Sequence, residues 1–267
     1  MKAPAREPRG IPLRSVVPNA VTALALCVGL SGVRFAVAGE WERAIKAIII
    51  AGVLDGMDGR IARMLNGQSR FGAELDSLSD VIAFGVSPAI IVHLWSLQYL
   101  PRFGWLFALA YAVCAALRLA RFNANIDVED QPHKSAGFLT GVPAPAAAGL
   151  MLLPVYLWIA TGEQFELLRS VALVAPWSAL IAFFMISNLA TFSWTSLRLR
   201  SRVRLWVILV IALVGAALFT APWPTLSVVS ALYLLMIPVS IWSYSKVKKQ
   251  RAAAAAPNEP LPSAGAH

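Results

Sequence analysis

The stretch "AIKAIIIAGVLDGMDGRIARM" (residues 44–64) opens as a segment suited to lipid and closes with two aspartates and two arginines. Its first half decides the fold, because a run this apolar belongs in a hydrocarbon layer. Its second half is the anomaly. An ionisable group at that depth costs roughly 2.5 to 3.5 kcal/mol on insertion scales, so each one needs a reason. The next apolar segment repeats the pattern, with Asp76 and Asp80 near its start.

Outward from that stretch the chain keeps the same character. Of its 267 residues 58% are hydrophobic and 14% charged, and the mean hydropathy is +0.66, values outside the range of soluble domains. A spanning helix takes about 20 apolar residues. About eight windows qualify, near 16–38, 44–64, 75–97, 103–119, 138–160, 171–191, 205–219 and 226–243. The sequence therefore predicts an all-α, polytopic membrane bundle forming one domain over residues 1–250, with a disordered tail at 251–267. A cleavable leader is the rival reading of the first window, since "AVAG" (36–39) has small residues. The run exceeds a leader's apolar region, and Arg34 interrupts its end.

Lysine and arginine concentrate at cytoplasmic flanks. Here they gather at the N-terminus, at Arg60, Arg63 and Arg70, at Arg118, Arg121 and Lys134, at Arg198 to Arg204, and in the tail, whereas Glu40, Glu42, Glu163 and Glu166 fall in the alternate connections. Both termini and the acidic segment are thus expected on the cytoplasmic side of the inner membrane. The net charge of +9 follows from this asymmetry and from attraction to anionic membrane lipid, and it needs no nucleic-acid partner. Cys27 and Cys114 lie in apolar windows and make no disulfide framework. His93, His133 and His267 lack metal-ligand spacing.

On a helix that turns about 100° per residue, Asp55 and Asp58 stand about 60° apart, and Asp76 and Asp80 about 40°. Each pair shares a helix face. The helices are consecutive and joined by the short "NGQSR" connection, so the two acidic faces meet at one membrane surface. Four converging carboxylates stay ionised only with cations between them. Hard oxygen ligands suit magnesium, manganese or calcium, and a pair of such ions can clamp phosphate oxygens. Gly56, Gly59 and Ala62 keep one side of the first helix free of bulk. Arg63 stands one turn beyond Gly59, placed to meet an anion. The bland alternative is that the small residues only pack helices and the aspartates only pair with Arg60, Arg63 or Arg70.

Written out, the pattern is D-x-x-D-G-x-x-A-R, then residues 64–71, then G-x-x-x-D-x-x-x-D. Asp55, Asp58, Gly59, Ala62, Arg63, Gly72, Asp76 and Asp80 fill every fixed position of the CDP-alcohol phosphotransferase signature, and the chain resembles that family. The resemblance implies an integral membrane enzyme that transfers a substituted phosphoryl group from a CDP-linked donor to an alcohol. It implies that Asp55, Asp58, Asp76 and Asp80 hold two divalent cations, Mg²⁺ or Mn²⁺, with Asp80 also the general base. Gly59, Ala62, Arg63, Ser69 and Gly72 correspond to donor-binding positions. "PNAVT" (18–22) is similar to the family's nucleotide element, which would turn Asn19 and Thr22 toward cytidine.

The acceptor must be read outside the signature. "DVIAFGVSPA" (80–89) and "LRLARFN" (117–123) are similar to the phosphatidylserine synthase branch, as is "GFLTGVPAPAAAG" (137–149) more weakly. The likeness implies CDP-diacylglycerol as donor, L-serine as acceptor and a homodimeric assembly. Arg118, Arg121 and Asn123 become candidates for holding the serine carboxylate or a donor phosphate, a task suited to arginine. Ordinary cytoplasmic flanking explains the two arginines on charge alone. Other acceptors within the family, such as glycerol 3-phosphate, inositol phosphate or choline, remain alternatives. So does a transporter coupled through buried aspartates, which predicts acids in both halves of the chain. The resemblance is close over 16–123, weaker to 149 and only topological beyond.

Overall fold

The computed structural model describes residues 13–124, 138–187, 189–192 and 201–255. Lys2, Arg6, Arg9, His133, Lys134, Arg198, Arg200 and the tail beyond 255 lie outside the described residues. Helix α1 spans Leu13–Val37 and α2 Trp41–Met64. The chain reverses between them at Gly39, whose φ of +76° suits glycine. Small residues bring α1 close to its neighbours. A Cβ added at Gly32 would lie 3.0 Å from the Ala44 carbonyl oxygen, and one at Gly29 would lie 2.9 Å from Ala83 Cβ.

Helix α2 ends in a Schellman turn. Asn66 takes a left-handed φ of 48°, its N–H bonds to the Arg63 carbonyl, and the Gly67 N–H reaches the Ala62 carbonyl. Two residues after Gly67, Ser69 caps α3 (Arg70–Asp80), its hydroxyl accepting from the Gly72 N–H at 3.0 Å. Directly after Asp80 the rod widens into a six-residue π-helical turn, Val81–Val86, and then continues as α4, Ser87–Trp95. Such turns insert an extra residue into the helical ladder and re-aim the side chains around them. Gly85 of this turn meets α5 (Gly104–Ala124) so closely that an added Cβ would lie 2.9 Å from Ala115 Cβ. The Tyr111 hydroxyl of α5 donates to the Phe84 carbonyl at 2.9 Å. The acid-bearing rod is therefore held between α1, α2 and α5.

The fifth window departs from expectation. Residues 138–140 form a strand, β1 (Phe138–Thr140), antiparallel to β2 (Ala190–Phe192) with Leu139 opposite Thr191. Helix begins only after Gly141, at φ +74°, and Pro143, which has no N–H to donate. It then runs as α6 (Ala144–Met151) and α7 (Leu153–Ala160), divided where Pro154 interrupts the hydrogen-bond ladder. The short α8 (Glu166–Arg169) leads to α9 (Val171–Ile186), which stops five residues before the expected end so that β2 can pair. The chain closes with α10 (Ser201–Thr220) and α11 (Pro222–Ala255). Residues 251–255, expected to begin the tail, continue α11. Alanine has the highest helix propensity, and "AAAA" (252–255) extends the helix.

Among the described residues the fold is helical apart from one three-residue ladder. Four of the helices among the described residues are long and apolar enough to cross a membrane: Val16–Val37, Arg70–Trp95, Gly104–Ala124 and Pro222–Ser245. Val171–Ile186 and Leu205–Thr220 are apolar but shorter. Helix α2 is long, but it carries the charges that made it conspicuous in the sequence. The apolar core lies between α4, α5, α6, α7 and α9, around Trp95, Tyr111, Met151 and Tyr156. On α10, Leu205, Trp206, Ile211 and Phe219 all point outward, as expected of a helix facing lipid.

Candidate active site

Carboxylate oxygens of Asp55, Asp76 and Asp80 all lie within 4.8 Å of one another. Helices α2 and α3 supply them from the two sides of the Schellman turn. Asp58, buried to 4% exposure, stands beside them on α2 and accepts a 2.6 Å hydrogen bond from Thr22 of α1. The Thr22 hydroxyl also lies 3.1 Å from the Pro18 carbonyl, so the start of α1 is tied to the acidic face. Among the described residues the salt bridges are Arg43–Glu40 and Lys46–Glu42, both far from these four aspartates. Pairing with Arg60, Arg63 or Arg70 therefore does not explain the acids.

A cavity of about 310 Å³ opens next to Asp58 and Asp76. Every position that the resemblance assigns to donor binding lines it: Asn19, Thr22, Gly59, Ala62, Arg63, Ser69 and Gly72. The two glycines serve different needs. A Cβ on Gly72 would fall 2.6 Å from Asn19 Oδ1 and 3.1 Å from Ser69 Oγ, so the missing side chain lets α1 and α3 approach. A Cβ on Gly59 would meet nothing within 4 Å. Packing does not require that glycine, and its effect is to leave room for a ligand beside Asp58. Gly67 and Gln68 also line the cavity. They were missed because the connection was read only as a turn, although polar residues between two halves of a motif are a usable signal.

The expected acceptor group divides. Arg118 turns inward, its Nε buried without a hydrogen-bond partner among the described residues, and it lies within electrostatic range of Asp80. Arg121 instead donates to the carbonyls of Ile186 at 3.1 Å and Ser187 at 3.5 Å, at the C-terminal end of α9. A cation there satisfies helix-end carbonyls and complements the helix dipole. Asn123 donates to Ser77 Oγ at 2.9 Å, one residue past Asp76. Arg121 and Asn123 thus fasten the end of α5 to α9 and α3.

A membrane helical bundle with carboxylates clustered beside a cavity that polar side chains line is the class of protein that the fold and site define. Within that class the chain belongs to the CDP-alcohol phosphatidyltransferase family, whose model matches residues 15–181. A second model, CDP-alcohol phosphatidyltransferase 2, matches residues 202–238. The chain is 36% identical over 235 residues to a CDP-diacylglycerol–serine O-phosphatidyltransferase of Mycobacterium bovis, covering 88% of this chain and 81% of the relative. A Helicobacter pylori protein of the same name is 31% identical over 233 residues, 86% and 92% of the two chains. One from Bacillus subtilis is 33% identical over 137 residues, 51% and 73% of the two. The similarity therefore runs well past residue 149, where the motifs alone had faded.

Proposed function

We propose that this protein transfers the phosphatidyl group of CDP-diacylglycerol to L-serine, giving phosphatidylserine and CMP. The observation that carries the proposal is the cluster of Asp55, Asp76 and Asp80, joined through Asp76 to a cavity lined by the residues that the resemblance assigns to the donor. A transporter coupled through aspartates is set aside, because the acids sit on adjacent helices of an enzyme family. The site suits divalent cations: its donors are hard oxygens, and among the described residues none of the four aspartates forms a salt bridge. Asp55, Asp58, Asp76 and Asp80 would hold two ions, Mg²⁺ or Mn²⁺. When bound, the ions offset the carboxylate charge and stabilise the phosphoryl oxygens during displacement.

The chain's own residues perform the remaining tasks. Asn19 and Thr22 face the cytidine end of the donor, and Arg63 meets its phosphates. Gly59 and Ala62 leave space for the pyrophosphate, and the Ser69 hydroxyl, already accepting from Gly72, has its proton free to donate. Arg118 orients serine through its carboxylate. The serine hydroxyl oxygen forms a bond to the lipid-attached phosphorus, the pyrophosphate P–O bond breaks, and CMP leaves with that electron pair. Asp80 receives the hydroxyl proton. Among side chains lining the site none is an evident covalent nucleophile, which favours direct transfer.

The apolar windows support about eight crossings, and the distribution of arginine and lysine supports cytoplasmic termini and a site on the cytoplasmic side of the inner membrane. The family likeness supports a homodimer. Exhaustive chelation of divalent cations should abolish CMP release by the detergent-solubilised protein, and added Mg²⁺ or Mn²⁺ should restore it. Full activity after chelation would remove the cation-dependent reading.

A further inference from the structure

Three polar atoms around Arg118 are buried without hydrogen-bond partners among the described residues: Arg118 Nε on α5, the Tyr233 hydroxyl on α11 and Asp80 Oδ1 on α3. Arg118 lies within electrostatic range of both Asp80 and Tyr233 and so is the group common to the other two. A buried polar group left without a partner is costly, and these three, unlike Ser87 Oγ or Trp158 Nε1, belong to side chains grouped about one arginine. Tyr233 also lines a second cavity, of about 250 Å³, between α2, the π-helical turn, α6, α7 and α11. Gly52, one turn before Asp55, lines it as well, as do Phe84 of the π-helical turn and Ser230, one turn before Tyr233.

The hydrogen-bonding sense of the three atoms describes a ligand. Arg118 Nε–H and the Tyr233 O–H are donors without an acceptor, and Asp80 Oδ1 is an acceptor without a donor. A molecule that offers a carboxylate to the first two and a hydroxyl proton to the third satisfies all three. We propose that Tyr233, on the last helix, is a specificity-determining residue: its hydroxyl donates to the acceptor's carboxylate beside Arg118 and thereby points the acceptor's hydroxyl at Asp80. This inference rests on serine being the acceptor and adds a residue outside the signature and outside the motifs similar to the phosphatidylserine synthase branch. It also gives α11 a place in the site, separated by more than a hundred residues of sequence from the other groups.

The test is Tyr233→Phe in the full-length, detergent-solubilised protein, with both substrates titrated at saturating Mg²⁺. Loss of a hydrogen bond to a charged ligand should raise the KM for serine about tenfold or more. The KM for CDP-diacylglycerol should hold, and turnover at saturating serine should fall far less than kcat/KM. With ethanolamine, which lacks the carboxylate, the substitution should have little effect. An unchanged serine KM would overturn the proposal. So would a variant that shifts both substrate constants together, or one that loses its monodisperse elution, since either marks the hydroxyl as structural. If the unaltered protein fails to use serine at all, the acceptor reading itself has failed, an outcome distinct from any behaviour of the variant.

Discussion

Asp80→Asn should lower phosphatidylserine formation by about a thousandfold at saturating substrates, with the protein still folded. Asparagine keeps the size and one carbonyl oxygen but accepts no proton from an attacking hydroxyl. Positioned proton transfer contributes about 10²- to 10⁴-fold to rate. The position is critical structurally too, because Asp80 is the last residue before the π-helical turn and is one of three carboxylates within 4.8 Å. Asp58→Asn offers the contrast. Its Thr22 hydrogen bond survives, because the amide oxygen still accepts, and the variant should recover part of its activity at high Mg²⁺ or Mn²⁺ through restored occupancy. Asp80→Asn should not recover. Initial rates of CMP release across a cation titration separate the two, and an Asp80→Asn enzyme within tenfold of the unaltered rate would refute the assignment.

Arg118→Ala should raise the KM for serine roughly ten- to a hundredfold, the effect of removing a charge-assisted pair worth about 1.5 to 3 kcal/mol. The KM for CDP-diacylglycerol should move much less, and ethanolamine should lose its disadvantage relative to serine. Arg121→Ala should behave in the opposite way. Its guanidinium is spent on the Ile186 and Ser187 carbonyls, so its loss should reduce thermal stability and leave the serine KM alone. A serine KM unchanged in Arg118→Ala would defeat the carboxylate assignment, while the phosphotransferase reading, which rests on the aspartates, would stand.

That contrast shows what the sequence could and could not reveal. The aspartates were legible because their geometry is local: two helix pairs at fixed spacing, on consecutive helices with a short turn between, meet wherever the bundle packs. The cavity beside them was legible for the same reason, since its lining residues come from α1 and the two sides of that turn. Arg118 and Arg121 were not separable by spacing. Three residues apart, they share a face to within about 60°. What divides them is tertiary, the end of α9 arriving beside one and Asp80 beside the other. Tyr233 was invisible, because a tyrosine in an apolar helix reads as ordinary lipid-facing or core material until its neighbours are known. The ladder of 138–140 with 190–192 joins segments distant in sequence, and its only local signs are Gly141 and Pro143. The π-helical turn after Asp80 left no sign in the apolar periodicity.

The central claim is that one site passes the phosphatidyl group from a CDP-linked lipid to serine. Purified protein given CDP-diacylglycerol, a divalent cation and labelled serine, with CMP and labelled lipid quantified in the same tube, tests it most directly. Equal amounts of CMP and labelled phosphatidylserine, with neither formed when serine is omitted, is the predicted result. CMP released without serine, or no label in lipid while another alcohol is consumed, would contradict it.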